Sequence, residues 1–380
     1  MKILVTGANG FVGKNLCATL KNIADGKDTA HNITSDITVL PYDLGTDPSL
    51  LDDYCRECDF VVHLAGVSHP ETEEDFMSGN FDFTLAVLDT LKKHNNNCPV
   101  LISSSVESEL DNPYGRSKKA GEELMFNYAK ETDVKIMVYR LPDLFGKWCR
   151  PNYNSIVATF CYNIARDLPI TVNNRDINMT LVYVDDLVDE IIEAIIGNEN
   201  CEGAFCKVPT EYKITLGEIA DLIYSFKDSR ETRLVPDMAD GFTKKLYATY
   251  LSYIPQGSFS YPLKMNVDDR GSVTEFLRTA DRGQISINVL KLGIVKGNHW
   301  HNTKNEKFLV VSGKGVVRLR KYDSDEITEY FVSGDKLEVV DIPVGYIHNI
   351  ENLGDTDMVT LTWCNECFDP ERPDTILEDI

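Results

Sequence analysis

The chain has 380 residues, of which 43% are hydrophobic and 26% charged, and its formal net charge is −22. At roughly 100–200 residues per domain this length predicts two domains, large enough to bury cores without disulfide staples. The acidic balance excludes nucleic acid and anionic membrane surfaces as partners, because both need a basic patch. No apolar run approaches the roughly 18 residues of a membrane-spanning helix. Residues 1–5 run directly into a glycine-rich turn and read as a first strand, not as a signal peptide. The expected compartment is therefore the cytoplasm, with the ten cysteines as free thiols. Cys55/Cys58 and Cys364/Cys367 have C-x-x-C spacing, but neither has a second pair nearby, and both read as scattered small core or surface residues.

Residues 1–200 alternate short apolar runs with helix-like stretches. Strands are expected at 2–5, 38–40, 59–64, 99–102 and 134–139, and helices at 11–20, 82–93 and 118–130. This alternation predicts an α/β fold of Rossmann type: a doubly wound parallel sheet with helices on both faces. After about residue 245 the helical patterns stop. Short strands at 286–290, 307–311, 315–320, 329–332, 336–340 and 358–363 follow, separated by Gly, Asp, Asn and Pro turns. They predict an all-β antiparallel sandwich or jelly roll. The stretch 250–262, rich in Tyr, Ser and Pro, reads as the connector, so the expected domains are 1–247 and 248–380.

Gly7-Ala8-Asn9-Gly10-Phe11-Val12-Gly13 follows the first strand and opens the first helix. Glycines in a G-x-x-G-x-x-G turn let the backbone approach a pyrophosphate, and the helix N-terminus offers it free N–H groups and a positive dipole end. Tyr114 and Lys118 are four residues apart at the entry to a helix, so they share one face. A free tyrosine has a pKa of about 10, and a nearby ammonium is expected to lower it. Ser103, Ser104 and Ser105 end the preceding strand and could offer a hydroxyl to the same carbonyl.

Together with Leu64-Ala65-Gly66, these residues resemble the extended short-chain dehydrogenase/reductases. The resemblance implies that Tyr114 donates a proton to a ketone oxygen while a nicotinamide delivers hydride to carbon. Lys118 would tune Tyr114 and hold the nicotinamide ribose, and Ser105, or next Ser104, would hydrogen-bond the carbonyl. The stretch from Tyr139 to Gly146, with Pro142, is similar to the family's segment passing the nicotinamide. The stretch from Val182 to Leu187 is similar to its substrate-closing segment in sugar-nucleotide members. An acidic residue near the end of the second strand favours NAD. Tyr42-Asp43, with no basic residue close by, leans that way.

The second constellation lies in the all-β part. Gly293, His299-Trp300-His301, Glu306 and Gly313 give G-x5-H-x-H-x4-E-x6-G, and Pro343, Gly345, His348 and Asn352 give P-x-G-x2-H-x3-N. On a strand, His-x-His presents both imidazoles on one face. Three nitrogens and a carboxylate suit zinc, nickel, iron or manganese. The pattern resembles both halves of the cupin motif, although Gly334 stands nine positions before Pro343 where the family has six. A metal that merely staples the barrel is the alternative to a catalytic one.

Across almost the whole chain the sequence resembles the bifunctional capsular-polysaccharide enzymes that fuse such a reductase to a cupin. The likeness is carried by Phe145-Gly146-Lys147-Trp148-Cys149, Pro151-Asn152-Tyr153-Asn154-Ser155, Thr249-Tyr250-Leu251-Ser252-Tyr253, Met265-Asn266-Val267-Asp268-Asp269-Arg270-Gly271-Ser272 and Gly297-Asn298-His299-Trp300-His301. It implies zinc on His299, His301, Glu306 and His348, and C3 epimerisation of a UDP-linked 4-keto-6-deoxy-2-acetamido hexose in the cupin. Reduction at C4 with NADPH would follow in the reductase, giving UDP-2-acetamido-2,6-dideoxy-L-talose for surface polysaccharide synthesis. The likeness also implies substrate contacts near Asn152, Tyr153, Asn154 and Arg175, and a homodimer or larger homo-oligomer. The single-step alternative is a 4-ketohexose reductase with a structural cupin. Lys336, Tyr346 and acidic neighbours are open as the base at C3, and the choice between NAD and NADPH is open too.

Overall fold

The computed structural model describes all residues of the chain except Asn32, Thr34, Ser35, His69 and Glu71. The chain divides into two compact units, residues 1–224 with 245–255, and residues 225–244 with 256–380. No described helix is long and apolar enough to cross a membrane.

In the first unit the order is β1 (Lys2–Thr6), α1 (Phe11–Ala24), β2 (Thr38–Tyr42), α2 (Ser49–Glu57), β3 (Phe60–His63), α3 (Glu74–Met77), α4 (Phe83–Lys93), β4 (Val100–Ser105), α5 (Pro113–Thr132) and β5 (Ile136–Leu141). There follow β6 (Asp143–Phe145), α6 (Ile156–Ile164), β7 (Asn178–Tyr183), α7 (Val184–Ile195), β8 (Cys201–Glu202), β9 (Phe205–Cys206) and β10 (Tyr212–Thr215). Seven strands form one sheet in the order β2-β1-β3-β4-β5-β9-β8, parallel except for the β8–β9 hairpin, and β10-β7-β6 form a small second sheet. Side chains alternate across each strand, so both faces must be covered. Ile3 and Val5 pack with Leu16 and Leu20 of α1 and Leu187 and Ile191 of α7. Leu4, one residue out of step, packs on the other face with Leu88 of α4 and Met125 of α5.

Helix α5 starts five residues before the expected 118. Asn112 accepts the Gly115 N–H at 2.6 Å as N-cap, and Pro113 supplies a first-turn residue with its φ preset. Tyr114 thus lies in the first helical turn. Deeper along α5, the Glu122 carboxylate is buried and takes a two-point ion pair from Arg140 of β5 (Nε–Oε1 2.9 Å, Nη2–Oε2 2.8 Å). It also accepts the Ser104 hydroxyl of β4 at 2.6 Å.

Two helices, α8 (Leu216–Thr232) and α9 (Gly241–Ser252), were not expected from the sequence. The 247/248 division falls inside α9, and the stretch read as a connector from 250 begins in that helix. Leu246, Thr249 and Tyr250 are buried at helical spacing, which overrides the Tyr-Ser-Pro composition. A second correction concerns the cysteines. Cys201 and Cys206 face each other across the β8–β9 hairpin, with Cα atoms 3.8 Å apart, and are joined as a disulfide, so not all ten are free thiols.

The second unit holds β11 (Asn266–Asp268), β12 (Gly271–Thr279), β13 (Gly283–Leu290), β14 (Val295–Trp300), β15 (Glu306–Ser312), β16 (Lys314–Lys321) and β17 (Ile327–Ser333). It continues with β18 (Val339–Ile342), β19 (Tyr346–Asn352), β20 (Met358–Cys364) and β21 (Ile376–Leu377). They form two antiparallel sheets, β11-β12-β13-β20-β15-β18 and β17-β16-β19-β14-β21. Leu290, Val310 and Met358 of the first sheet and Val317, Leu319 and Ile350 of the second share one core, as a cupin-like jelly roll requires.

The buried pair makes a prediction. Arg140→Met leaves Glu122 without its cation and should destabilise the first unit by about 3 kcal/mol, the low end for breaking a buried pair because the Arg140 side chain is 21% exposed. Urea unfolding measures this, and a loss below about 1 kcal/mol would show that Ser104 alone satisfies Glu122.

Candidate functional sites

The glycine turn joins β1 to α1. A Cβ on Gly13 would stand 2.1 Å from the Gly7 carbonyl oxygen, so only glycine lets helix and turn approach this closely. Gly10 is the N-cap and no side chain caps it, which leaves the helix end formed by Phe11, Val12 and Gly13 open to an anionic group. Asp43 follows β2 and faces this turn. Its carboxylate accepts the Asn9 N–H at 2.6 Å and the Leu44 N–H at 2.7 Å.

Leu64, Ala65 and Gly66 leave β3 beside the turn, held by a buried relay that sequence reading missed. Thr84 donates to the Asn80 carbonyl at 2.8 Å, so its oxygen must accept the Nε2–H of fully buried His63 at 2.9 Å. Nδ1 of His63 then accepts the Thr6 hydroxyl at 2.7 Å, and Thr6 in turn accepts the Ala65 N–H at 3.3 Å. Burial, with the Lys118 charge, pushes the His63 pKa down to about 3, so the ring is neutral as this chain of bonds requires. The Asn80 amide clamps Val67 through its N–H and its carbonyl, both at 2.9 Å, and donates to Ser117 of α5 at 3.0 Å. A single histidine inside the apolar run of β3 was the available signal.

Tyr114, Lys118 and Ser105 come together where α5 meets the end of β4. The Lys118 ammonium donates to the Ser103 carbonyl at 3.1 Å and lies 5.9 Å from the Tyr114 ring centre. Burial pushes its pKa down to about 8, against the raising effect of Glu122. Burial also raises the Tyr114 phenol above its ordinary value, opposed by a hydrogen bond with Ser105 and assisted by Glu107 and Asp143. The lowering expected from Lys118 is therefore not found: the shift is upward, because desolvation penalises the phenolate, and the one opposing influence is the Ser105 hydrogen bond. Ser104 points elsewhere, to Glu122. Pro142 follows β5 and is half-buried.

The residues read as substrate contacts divide. Asn154 donates to Ser68 at 2.9 Å, which brings its loop to the segment after β3. Asn152 has φ +54° and its N–H donates to Thr159, while Tyr153 is exposed with Arg150 stacked 5.0 Å from its ring centre. Arg175 is tied to Asp221 at 2.6 Å and to the Gly217 carbonyl.

In the second unit His299, His301, Glu306 and His348 converge, with one ligand atom from each within 4.8 Å of the others. A bulge between Gly297 and His299 re-aims β14, and Gly297 is required there because a Cβ would lie 2.7 Å from the His348 carbonyl oxygen. His299 pairs with His348 of β19, and Glu306 opens β15. Nδ1 of His301 donates to the Asp374 carbonyl and Nδ1 of His348 to the Tyr346 carbonyl. A carbonyl only accepts, so in the neutral rings Nε2 carries a lone pair. Both lone pairs face the same Glu306 oxygen, at 3.6 Å from His301 and 3.1 Å from His348, and His301 Nε2 has no hydrogen-bond partner. The Lys304 ammonium lies 3.4 Å from the other Glu306 oxygen, Oε1, and the three acceptors crowded at Oε2 in a buried space still call for a cation among them. Burial first, then the neighbouring histidines, lowers the His299 pKa to about 4, so this ring too is a neutral donor at neutral pH. The donor set therefore fits a divalent metal. Cys364, read as a scattered residue, lies buried against this cluster with its thiol 3.2 Å from Glu306 Oε1.

Comparison with known proteins agrees with this two-part construction. Residues 3–202 match the NAD dependent epimerase/dehydratase family, and residues 266–376 match the polysaccharide biosynthesis C-terminal domain. The chain is 41% identical to the UDP-2-acetamido-2,6-beta-L-arabino-hexul-4-ose reductase of Pseudomonas aeruginosa, over 99% of this chain and 98% of that one. It is 55% identical to the capsular polysaccharide assembling protein CapF of Staphylococcus aureus, whose crystal structure superposes with a TM-score of 0.92 over 100% of both chains. The UDP-glucuronic acid 4-epimerase of Bacillus cereus shares the fold of the first part at 20% identity, with a TM-score of 0.53 over 68% of this chain and 98% of its own. The chain belongs to the NAD dependent epimerase/dehydratase family and joins to that domain a polysaccharide biosynthesis C-terminal domain.

Proposed function

We propose that this protein epimerises a UDP-linked 4-keto-6-deoxy-2-acetamido hexose at C3 and then reduces it at C4, giving UDP-2-acetamido-2,6-dideoxy-L-talose for surface polysaccharide synthesis. The observation that carries the reading is one chain holding both a Tyr114–Lys118–Ser105 constellation and a buried three-histidine, one-carboxylate cluster. The nearly full-length likeness to a keto-sugar reductase supports the substrate class.

We assign reduction to the part before residue 248 and epimerisation to the part after it. A bound NADPH would supply the hydride, with its pyrophosphate at Gly7, Gly10 and Gly13 and its ribose near Asp43. The Asp43 carboxylate already serves two backbone N–H groups, so it holds the turn as well as facing a ribose. Leu64, Ala65, Gly66 and Pro142 border the nicotinamide. Tyr114 gives its proton to the C4 oxygen, Ser105 holds that oxygen, and Lys118 keeps a positive charge beside both. Asn152, Tyr153 and Asn154 lie on the substrate side. Arg175, tied to Asp221, would have to leave that carboxylate to reach a substrate.

A zinc ion held by His299, His301, Glu306 and His348 would polarise the C4 carbonyl and so acidify the adjacent C–H. Removing and returning the C3 proton needs a group in the barrel. Lys336 is exposed and paired with Glu338 at 2.6 Å, whereas Tyr346 lies two residues before His348, on the same strand face and packed against the core. We therefore place Tyr346 ahead of Lys336 for that proton. The likeness extends the reading to a cytoplasmic homo-oligomer.

Proton NMR in deuterated water tests the first step. With the keto sugar and no nicotinamide, the C3 signal should disappear in the native protein and persist in His299→Ala, and NADPH should then yield the talose product. Reduction without exchange would mean a plain ketone reductase with a structural barrel.

The second step has a pH signature. Tyr114 stays protonated through the neutral range because its pKa is raised, while Lys118, lowered to about 8, is charged below that pH and neutral above it. kcat/KM for reduction should hold below pH 8 and fall as pH rises through it. Lys118→Arg should move this fall upward, and Tyr114→Phe should lose about 10²- to 10⁴-fold in rate. A fall that stays in place in Lys118→Arg would remove Lys118 from this role.

A further inference from the structure

We infer that the C-terminal segment from Asp374 to Asp379 positions the four-residue cluster, with Asp374 as its anchor; this rests on reading that cluster as a metal centre. Two ligands, His301 and Glu306, are joined by only four residues, Asn302 to Asn305. The Asp374 carboxylate holds nearly all of that link. Oδ2 accepts the N–H groups of Asn302 (2.9 Å), Thr303 (2.7 Å) and Lys304 (3.0 Å) and the Thr303 hydroxyl (3.1 Å). Oδ1 accepts the Asn302 N–H and its side-chain amide, both at 3.0 Å. Asn365 takes the remaining N–H, from Asn305, at 2.9 Å. The link therefore owes its shape mainly to the Asp374 carboxylate, with Asn365, from the loop after β20, holding its far end.

The same residue sets the tautomer of His301. Its carbonyl takes the Nδ1 proton, which leaves the Nε2 lone pair aimed at Glu306. Beyond it, β21 adds to the outer edge of β14, with Leu377 opposite His299 and Ile376 opposite Trp300. His299 is thereby held between His348 on one side and Leu377 on the other. Glu378 donates its N–H to the Asn298 carbonyl at 3.0 Å, Asn298 donates to Asp379 at 3.1 Å, and Arg320 donates to the Glu378 carboxylate at 3.2 Å and the Asp379 carbonyl at 3.0 Å. The bulge that aims His299 and the turn that joins His301 to Glu306 are both closed by this one segment. Groups that orient a metal-binding histidine through its other ring nitrogen usually change metal affinity by about 10- to 100-fold.

The test uses the full chain and cobalt(II), whose visible absorption reports both binding and ligand geometry. Asp374→Ala keeps the carbonyl that bonds His301 but frees the 302–304 link and the carbonyl's own anchor, and should bind cobalt about 10-fold more weakly, the low end for such supporting groups, and with an altered absorption band. Asp369→Ala changes a carboxylate that caps only its own turn, at Glu371, and should bind as the native protein does. Asp374→Asn, of the same shape, is the deciding variant if Asp374→Ala loses the circular dichroism of the barrel. Native affinity and native spectrum in the folded Asp374 variant, with or without a lowered melting temperature, would overturn the positioning role. No cobalt binding by the native chain, or binding unchanged by His299→Ala, would instead overturn the metal reading beneath it.

Discussion

The Glu122 carboxylate, buried between α5, β4 and β5, is the interaction on which the geometry of the first site depends. It lies two helical turns after Tyr114 and one after Lys118, so all three project from one face of α5. Arg140 and Ser104 grip it from the two strands below. A buried carboxylate is costly unless paired, and that cost makes the helix position hard to shift. The three successive serines of β4 then divide the work. The Ser103 carbonyl receives Lys118, the Ser104 hydroxyl receives Glu122, and the Ser105 hydroxyl faces Tyr114.

The second site uses the opposite device. Here the Lys304 ammonium reaches only one Glu306 oxygen, Oε1, at 3.4 Å, and the two Nε2 lone pairs meet the other oxygen, Oε2, inside an apolar barrel. Antiparallel strands bring His299 and His348 together by register, and a bulge corrects the aim of one of them. The first site is thus pre-organised by a pair already made, and the second by a deficit that a ligand would fill. Both lie where low polarity raises the strength of each remaining interaction.

Much of this was legible beforehand because the signals are local. A glycine triplet after a strand, a Tyr and Lys four apart, and His-x-His with a glutamate five residues on each place side chains through backbone periodicity alone. Non-local features were not legible. The start of α5 depends on Asn112 and Pro113, which carry no apolar period. The end of helix α9 runs into the Tyr-, Ser- and Pro-rich stretch from 250 that reads as a connector. Cys364 meets Glu306 only because β20 pairs with β15. Arg175, placed on the substrate side by likeness, pairs with Asp221 at the surface, a contact between residues 46 positions apart that no local pattern announces.

The amino-acid order by itself determined the βαβ half, the all-β half and the residues that converge in each, since periodicity and turn chemistry act within a few residues of the chain. The tertiary structure decided what each of those residues is bonded to. The neutral tautomer of His63, the lifted pKa of Tyr114 and the orientation of His301 by Asp374 all come from groups distant in sequence. Burial and hydrogen-bond direction belong to the packed molecule, and no local pattern encodes them.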